Sequence, residues 1–339
     1  MKRIFAAIVI LWFALAGASA QGLPNPPKLS MWNRGVFNLF ESGGVTSVGP
    51  SWMGDPVKQG PYNSLSLDWS MKDVGWTMTA QWDGDARTYP VYLRDFSGRY
   101  SLFNGFLRLT AGKVWSDGGY RFRNFDTTGF STRIAGGEMG LMAQIQPVGG
   151  LSVGTFVPIP VTSQSASATF ENMNFGAEWI FDSDVTIKAS YRLEPVFDAK
   201  YLTSSNREFA IGVAMTMLPD VAFTLGYRFL DDTPEHDLFF DASYRQPALK
   251  LKMFADLNIV DAMLYYGGKL NAEYFFADTP FVLGASVSHG NGDAWYNDGT
   301  DLNPYVRYEI GGSSVQIGAD LLYKTELNYK IQFSYTISF

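Results

Sequence analysis

Apolar and polar side chains alternate along most of the chain after about residue 62, in segments of roughly ten residues separated by turn residues. In one such segment Leu65, Leu67 and Trp69 alternate with small or polar residues, and the pattern resumes after the turn at Lys72 and Asp73. A period of two is typical of a β-strand with one apolar and one polar face. No amphipathic helix pattern competes with it, so the sequence predicts an all-β protein.

The pattern predicts about eighteen strands, and sixteen is the alternative. The predicted segments are 34–41, 62–71, 74–82, 88–102, 106–115, 134–146, 151–158, 170–181, 185–193, 207–217, 221–229, 237–245, 248–258, 262–276, 281–289, 302–310, 315–324 and 328–339. Connections alternate between short and mostly longer ones. This alternation is typical of a transmembrane antiparallel β-barrel with short turns at one rim and loops at the other. Bacterial outer-membrane barrels have an even number of strands, and the count of eighteen includes the weakest segment, 34–41.

The first 20 residues have the pattern of a cleaved secretory signal peptide. Its parts are the basic pair Lys2 and Arg3, the apolar run Ile4–Leu15 and the small-residue pattern Ala18-Ser19-Ala20. Cleavage after Ala20 divides the chain into a signal peptide (1–20), an N-terminal periplasmic or lumenal segment (21–33) and a transmembrane barrel (34–339). After residue 20 no stretch approaches the roughly 18 to 20 apolar residues that a membrane-spanning helix needs.

Charge lies almost entirely on the polar face of the predicted strands. The basic set is Arg99, Arg108, Lys188, Arg192, Arg228, Arg245, Lys250, Lys252, Lys269, Arg307, Lys324 and Lys330, and the acidic set is Asp68, Asp95, Glu138, Glu178, Asp241, Asp256, Glu273, Glu309 and Asp320. Lys113 is the exception on the apolar face. A face this charged is not a dry core, so we expect it to line a watery lumen while the apolar face meets lipid. A soluble sandwich with its apolar faces buried together is the less favoured alternative.

Composition supports this interpretation. The 339 residues are 46% hydrophobic and 16% aromatic but only 17% charged, and none is Cys. The missing Cys excludes disulfides, thiolate metal centres, a thiol nucleophile and a lipid-modified cysteine. The net charge of −7 disfavours nucleic-acid binding. Many aromatic residues, such as Trp69, Trp179 and Tyr274, fall near the ends of apolar faces, where a membrane barrel carries its interfacial girdles.

The last segment ends the chain on an alternating apolar face. That face holds Tyr329, Ile331, Phe333, Tyr335, Ile337 and Phe339. Here the sequence resembles the outer-membrane β-barrel family of diderm bacteria, whose final strand alternates in this way and ends in Phe. The resemblance implies that Phe333, Tyr335, Ile337 and Phe339 form a signal for the barrel-assembly machinery. It also implies residence in the bacterial outer membrane, among its lipid bilayer and glycolipid.

Within that family the architecture is most similar to porins. The segment 116–133, between the fifth and sixth predicted strands, corresponds in position to the loop that folds into the lumen of general porins. Its candidate constriction residues are Asp117, Arg121, Arg123 and Asp126. The short acidic motif usual in that loop is absent, so a plain surface loop is the alternative.

Residues that carry chemistry are scarce. The two histidines, His236 and His289, fall at the presumed outer rim. His289 is followed two residues later by Asn291, where outer-membrane phospholipases have a nucleophilic Ser, and an amide cannot attack an acyl group. Asp293, Asp298 and Asp301 are oxygen ligands of the type Ca²⁺ prefers, but solvated loop charge explains them better. We therefore expect no enzymatic activity, no cofactor and no metal site.

The expected function is passive diffusion of small hydrophilic solutes through a water-filled lumen. Twelve basic against nine acidic residues on the polar face predict a weak preference for anions. A homotrimer is compatible with the apolar outer face, as is a monomer in lipid. The alternatives are a substrate-specific outer-membrane transporter for sugars or hydrophobic compounds, and then a non-conducting adhesin or structural barrel.

Overall fold

The alternating segments form eighteen β-strands in a computed structural model that describes residues 26–42, 62–83, 92–115, 134–159, 173–181, 184–192, 207–231, 235–291 and 299–338. The strands are β1 (Lys28–Glu41), β2 (Tyr62–Met71), β3 (Val74–Asp83), β4 (Tyr92–Leu102), β5 (Leu107–Trp115), β6 (Gly136–Val148), β7 (Leu151–Pro158), β8 (Asn174–Phe181), β9 (Val185–Arg192), β10 (Glu208–Leu218), β11 (Val221–Leu230), β12 (Glu235–Arg245), β13 (Leu249–Val260), β14 (Met263–Phe275), β15 (Phe281–Gly290), β16 (Gly299–Ile310), β17 (Ser313–Tyr323) and β18 (Leu327–Ser338). One 3-10 turn, Phe103–Gly105, joins β4 to β5. In this described part no helix is long and apolar enough to cross a membrane.

The strands close into one antiparallel barrel. Each strand pairs with the next along the chain, and β18 pairs with β1, where Trp32 lies opposite Ser338 and Arg34 lies opposite Thr336. Closure leaves the sheet no edge, so backbone N–H and C=O groups pair between strands all round, as a hydrocarbon surrounding demands. The predicted eighteen-strand barrel is confirmed, and the sixteen-strand alternative is wrong.

The first strand begins earlier than the sequence pattern indicates. β1 starts at Lys28, which lies opposite Asp68 of β2, so the barrel includes part of the predicted N-terminal segment 21–33. The outward face of β1 carries Asn33, whose side-chain amide donates a hydrogen bond to the Asn63 carbonyl oxygen on β2. That polar pair interrupts the apolar alternation, which is why the pattern does not reach back to Lys28.

The connections differ between the two rims. At the rim where β1 begins and β18 ends, the turns are short, and several contain residues with positive φ, such as Asn104 and Asp278. We call this the short-turn rim. The connections at the other rim include the two longest, 42–61 and 116–135, together with tight turns such as Asp261-Ala262. We call this the long-loop rim. Short periplasmic turns and longer external loops are typical of outer-membrane barrels.

Side chains sort by polarity between the two faces of the wall. Side chains of residues directly opposite each other in an antiparallel pair lie on the same face of the sheet. Once one residue is known to face inward or outward, the register therefore gives the face of its partner on the next strand. The outward positions hold exposed apolar residues such as Leu225, Leu270 and Ile317, whereas the inward positions hold buried polar ones such as Asp256 and Gln316. This is the distribution of a barrel with lipid outside and water inside.

Lys113 is the charged residue that the sequence places on the apolar face, and the structure agrees. It lies opposite Phe96 and Met139, both exposed outward. Its Nζ donates a hydrogen bond to the Leu93 carbonyl oxygen over 2.7 Å, beside a register shift between β3 and β4. The shift turns a backbone acceptor toward the ammonium group, which offsets part of the cost of a cation on an apolar surface.

Outward aromatic side chains contact each other near the strand ends. At the short-turn rim Phe281 and Tyr308 meet edge to face, with ring centroids 4.9 Å apart, and Tyr274 meets Phe276 at 5.1 Å. At the long-loop rim the ring of His236 lies 5.0 Å from that of Phe229. These positions correspond to the interfacial girdles that the sequence predicts.

Candidate functional site: the inner wall of the barrel

The predicted lumenal residues occupy inward register positions on the strands. Those whose side chains are described are Asp68, Asp95, Arg99, Arg108, Glu178, Lys188, Arg192, Arg228, Asp241, Arg245, Lys250, Lys252, Asp256, Lys269, Glu273, Arg307, Glu309, Asp320 and Lys330. Glu138 occupies the register position opposite Val114. Lys324 is different, because it lies in the turn after β17 rather than on the wall. The predicted segment 315–324 extends one residue past the end of β17.

Buried ion pairs form a band across β8 to β12. Lys188 Nζ lies 3.1 Å from Glu178 Oε2, and Arg192 pairs with Glu208 on the neighbouring strand. All four side chains are almost fully buried. Each pair joins residues directly opposite in the register, so the strand pairing itself brings the charges together.

Arg228 is the centre of the most extensive part of this band. Its Nε donates to Asp237 Oδ2 over 2.5 Å, and its Nη2 donates to Glu235 Oε1 over 3.2 Å. The Asn258 amide donates to the same Glu235 oxygen over 2.7 Å. One guanidinium therefore serves two buried carboxylates of β12, and Asn258 extends the network to β13 at the long-loop side.

A second cluster lies near the short-turn rim on β14 and β16. Tyr305 Oη donates to Glu273 Oε1 over 2.5 Å, and Arg307 Nη1 donates to the same oxygen over 2.7 Å. Arg307 also contacts Glu309. The Tyr305 ring covers Gly284 of β15, where a Cβ atom would overlap the ring, so glycine is needed at that position.

Amide and carboxylate groups meet on β15 to β17. The Asn303 amide donates to Asp301 Oδ1 over 2.9 Å and to Asp320 Oδ1 over 3.0 Å, and the Ser286 hydroxyl donates to its carbonyl oxygen. All of these residues are buried. One asparagine therefore connects three strands, and two of its partners are acidic.

Two apolar patches interrupt the polar wall. Phe239 of β12 and Phe254 of β13 pack together above Ala210. The other patch combines Val114, Met142 and Phe156 with Ile134 and Ala135, which precede β6.

The backbone at Ile134 runs inside the barrel. The buried amide of Asn174, on the inner face of β8, donates to the Ile134 carbonyl oxygen over 2.9 Å. Because β7 lies between β6 and β8, the chain crosses the inner face of β7 before it enters β6. The end of the long 116–135 connection is therefore anchored within the lumen.

Several inward charges are not predicted by the sequence pattern. Arg34 lies at the first residue of a segment whose faces were not assigned, and Glu208, Glu235, Asp237 and Asp301 lie at or just beyond predicted strand ends. Continuing the even–odd alternation by two residues would have identified the acidic ones. They matter because they change the charge of the wall.

Several predicted residues lie elsewhere. The constriction candidates Asp117, Arg121, Arg123 and Asp126, and the terminal Phe339, fall outside the described residues. Ile337 is exposed on the outer face of β18, which it shares with Phe333 and Tyr335. The Tyr335 ring covers Gly35 of β1, so this predicted assembly segment also completes the barrel seam.

The histidines lie on the outer face near the long-loop rim. His236 Nδ1 is 2.8 Å from Tyr227 Oη, and His289 Nδ1 is 3.0 Å from Thr300 Oγ1. Both neighbours are ordinary hydroxyl groups of adjacent strands. In the part of the chain that the structure describes, no group of three or more acidic or histidine side chains is placed to hold a metal ion.

Comparison with known proteins finds similarity in fold. No family model and no curated protein sequence matches the chain. Among solved structures, OccK3 (OpdO) of Pseudomonas aeruginosa has a TM-score of 0.55 at 11% identity, over 92% of this chain and 95% of that one. OccAB4 of Acinetobacter baumannii has a TM-score of 0.56 at 11% identity, over 92% and 98%. A mutant of Rh. blastica porin has a TM-score of 0.51 at 13% identity, over 92% of this chain and 100% of that one. The predicted architectural similarity to porins is therefore confirmed for the fold.

Proposed function

We propose that the protein is an outer-membrane porin through which small hydrophilic solutes diffuse passively. The observation that carries this proposal is the closed eighteen-strand barrel whose outer face is apolar and whose inner face is charged and polar. Barrels of about 16 to 18 strands enclose an aqueous channel, whereas those of about eight fill with side chains. Facing glycines on the inner wall, such as Gly154 with Gly176 and Gly212 with Gly226, take little room.

Single-channel recording of the refolded mature chain in a planar bilayer tests this function. Discrete conductance steps that grow in proportion to salt concentration are the expected result for a water-filled pore. A refolded barrel that never conducts would contradict the porin proposal and favour an adhesin or structural barrel.

The finer features of this proposal concern export and assembly. The chain is exported with cleavage after Ala20, and the assembly machinery recognises the strand that ends in Phe339. External glycolipid contacts the aromatic girdle at the long-loop rim, and the apolar outer face accommodates either lipid or two further copies in a homotrimer. No catalytic role is part of this proposal: each histidine contacts a hydroxyl group on the outer face of the wall, His236 that of Tyr227 and His289 that of Thr300.

Deleting residues 119–130 should raise the single-channel conductance, by about 1.5-fold or more if the segment narrows the lumen as the constriction proposal requires. The inward course of the chain at Ile134 and its bond from Asn174 support this expectation, because they fix one end of the connection within the barrel. Conductance in a planar bilayer is the measurement. An unchanged value would assign 116–133 to the surface.

The inner wall should discriminate only weakly between anions and cations. Among inward strand residues with described side chains, thirteen are basic and twelve are acidic once Arg34, Lys28 and the missed carboxylates are included. The excess of basic residues that predicted an anion preference has therefore disappeared. Reversal potentials across a KCl gradient measure this, and a permeability ratio beyond about three in either direction would contradict it.

A further inference from the structure

The charges of the inner wall are segregated along the barrel axis. Nearly all inward charged residues with described side chains lie in the half of their strand nearer one rim or the other. The long-loop half holds the acidic residues Asp95, Glu208, Glu235, Asp237, Asp256, Asp301 and Asp320 against the basic residues Arg192, Arg228 and Lys330. The short-turn half holds the basic residues Lys28, Arg99, Arg108, Lys188, Arg245, Lys250, Lys252 and Arg307 against Asp68, Glu178, Asp241, Glu273 and Glu309. Arg34 and Lys269 lie midway.

The two halves therefore carry opposite net charge. Seven acidic against three basic residues make the long-loop half negative, and eight basic against five acidic residues make the short-turn half positive. Ion pairing does not remove this difference, because pairs such as Lys188 with Glu178 lie within one half and cancel there. The near-zero net charge of the described inward side chains conceals a dipole along the pore.

Strands β12 and β13 show this charge separation residue by residue. Glu235 and Asp237 lie at the long-loop end of β12, whereas Arg245 lies at its short-turn end. On β13 the order is Asp256 toward the long loops and then Lys252 and Lys250 toward the short turns. Arg245 lies directly opposite Lys250, and both Arg245 and Lys252 are exposed to solvent. The basic mouth is thus accessible to ions.

Such a wall concentrates different ions at its two ends. A low-dielectric wall focuses the field of its charges into the water it encloses, so cations accumulate in the acidic half and anions in the basic half. With the long-loop side positive, both populations drift toward the middle of the lumen and raise its ion concentration. With the opposite polarity the cations leave through the acidic mouth and the anions leave through the basic mouth, so the ion concentration in the middle of the lumen falls.

We propose that the lumen is a rectifying, bipolar pore that conducts better when the long-loop side is positive. This inference rests on the proposed channel function and adds a preferred direction of ion current to it. The external side of an outer-membrane barrel is its long-loop side, so cations pass inward, and anions outward, more easily than the reverse.

Current–voltage curves of single mature channels test the inference. The chain has no Cys, so a T325C variant, in the exposed turn between β17 and β18, carries one biotin at the long-loop rim. Streptavidin added to one chamber then identifies the side that the long loops face. At about 100 mV of either polarity in about 0.1 M KCl, we expect at least about 1.5-fold more current with the long-loop side positive. In about 1 M KCl the ratio should approach one, because the Debye length falls from about 10 Å to about 3 Å.

Charge variants locate the cause. The double variant R245Q/K252Q removes two cations from the basic mouth and should bring the ratio toward one. The control K324Q removes a cation from a turn at the opposite rim and should not lower the ratio. A symmetric current, rectification of the opposite sign, or an unchanged ratio in R245Q/K252Q would each overturn the inference while leaving the channel function intact. Absence of any channel would instead overturn the proposed function itself.

Discussion

Replacing Arg228 with Met should lower the free energy of unfolding by about 3–5 kcal/mol, because the variant leaves two buried carboxylates without their counter-ion. Arg228 contacts Asp237 and Glu235, and these two carboxylates are only 1% and 3% exposed. Met has a similar length but no charge, so both carboxylates would lose their shared donor inside the wall. Urea unfolding of the refolded barrel in phospholipid vesicles measures the change.

Two further variants separate this effect from general loss of a cation. K252M removes a lumenal cation that is exposed to solvent, and we expect it to change the free energy of unfolding by less than about 1 kcal/mol. The triple variant R228M/E235Q/D237N neutralises the carboxylates as well and should recover part of the stability. If the triple variant is as unstable as R228M alone, the loss arises from packing and the electrostatic explanation is wrong.

Introducing Arg at Leu225 should destabilise the membrane-inserted barrel by about 2–4 kcal/mol, the cost of a cation near the middle of a lipid-facing strand. Leu225 lies at the centre of β11, is 50% exposed on the outer face, and has Val213 and Phe240 as its outward neighbours. The measurement is again urea unfolding in vesicles, because the penalty depends on the hydrocarbon around the barrel.

The adjacent residue supplies a matched control. Thr224 lies on the inner face of β11, directly opposite Asp241, so T224R places the same cation beside a carboxylate in the lumen. We expect a change below about 1 kcal/mol for T224R, because lumenal substitutions affect ion passage more than stability. Equal losses in L225R and T224R would contradict the assignment of lipid-facing and lumenal faces.

Strand number and face assignment were predictable because their signal is local. A residue and its neighbour point to opposite sides of any strand, so the alternation around Leu225 or Lys113 can be determined without knowledge of pairing. Where a polar residue occupies an outward position, as Asn33 does, the local signal fails. Its partner Asn63 lies on another strand, and only pairing shows that the two amides satisfy each other.

Contacts between distant segments were not predictable. Arg228 is predictably lumenal, but its bond to Asp237 depends on the register of β11 with β12, and the bond from Asn258 to Glu235 depends on the register of β12 with β13. The inward course of the chain at Ile134 depends on Asn174, which is 40 residues away. No periodicity in a single segment carries that information.

The sequence by itself determined an all-β chain with about eighteen strands, one apolar face and one charged face, because side-chain alternation is a property of the extended backbone. Tertiary structure alone decided which charges share a height in the barrel. Pairing aligns the short turns at one rim, and this alignment separates the described lumenal charges, whose total is near zero, into an acidic half and a basic half. A net charge summed over the sequence contains no positions along an axis, whereas the closed barrel places each charge at a defined height along its axis.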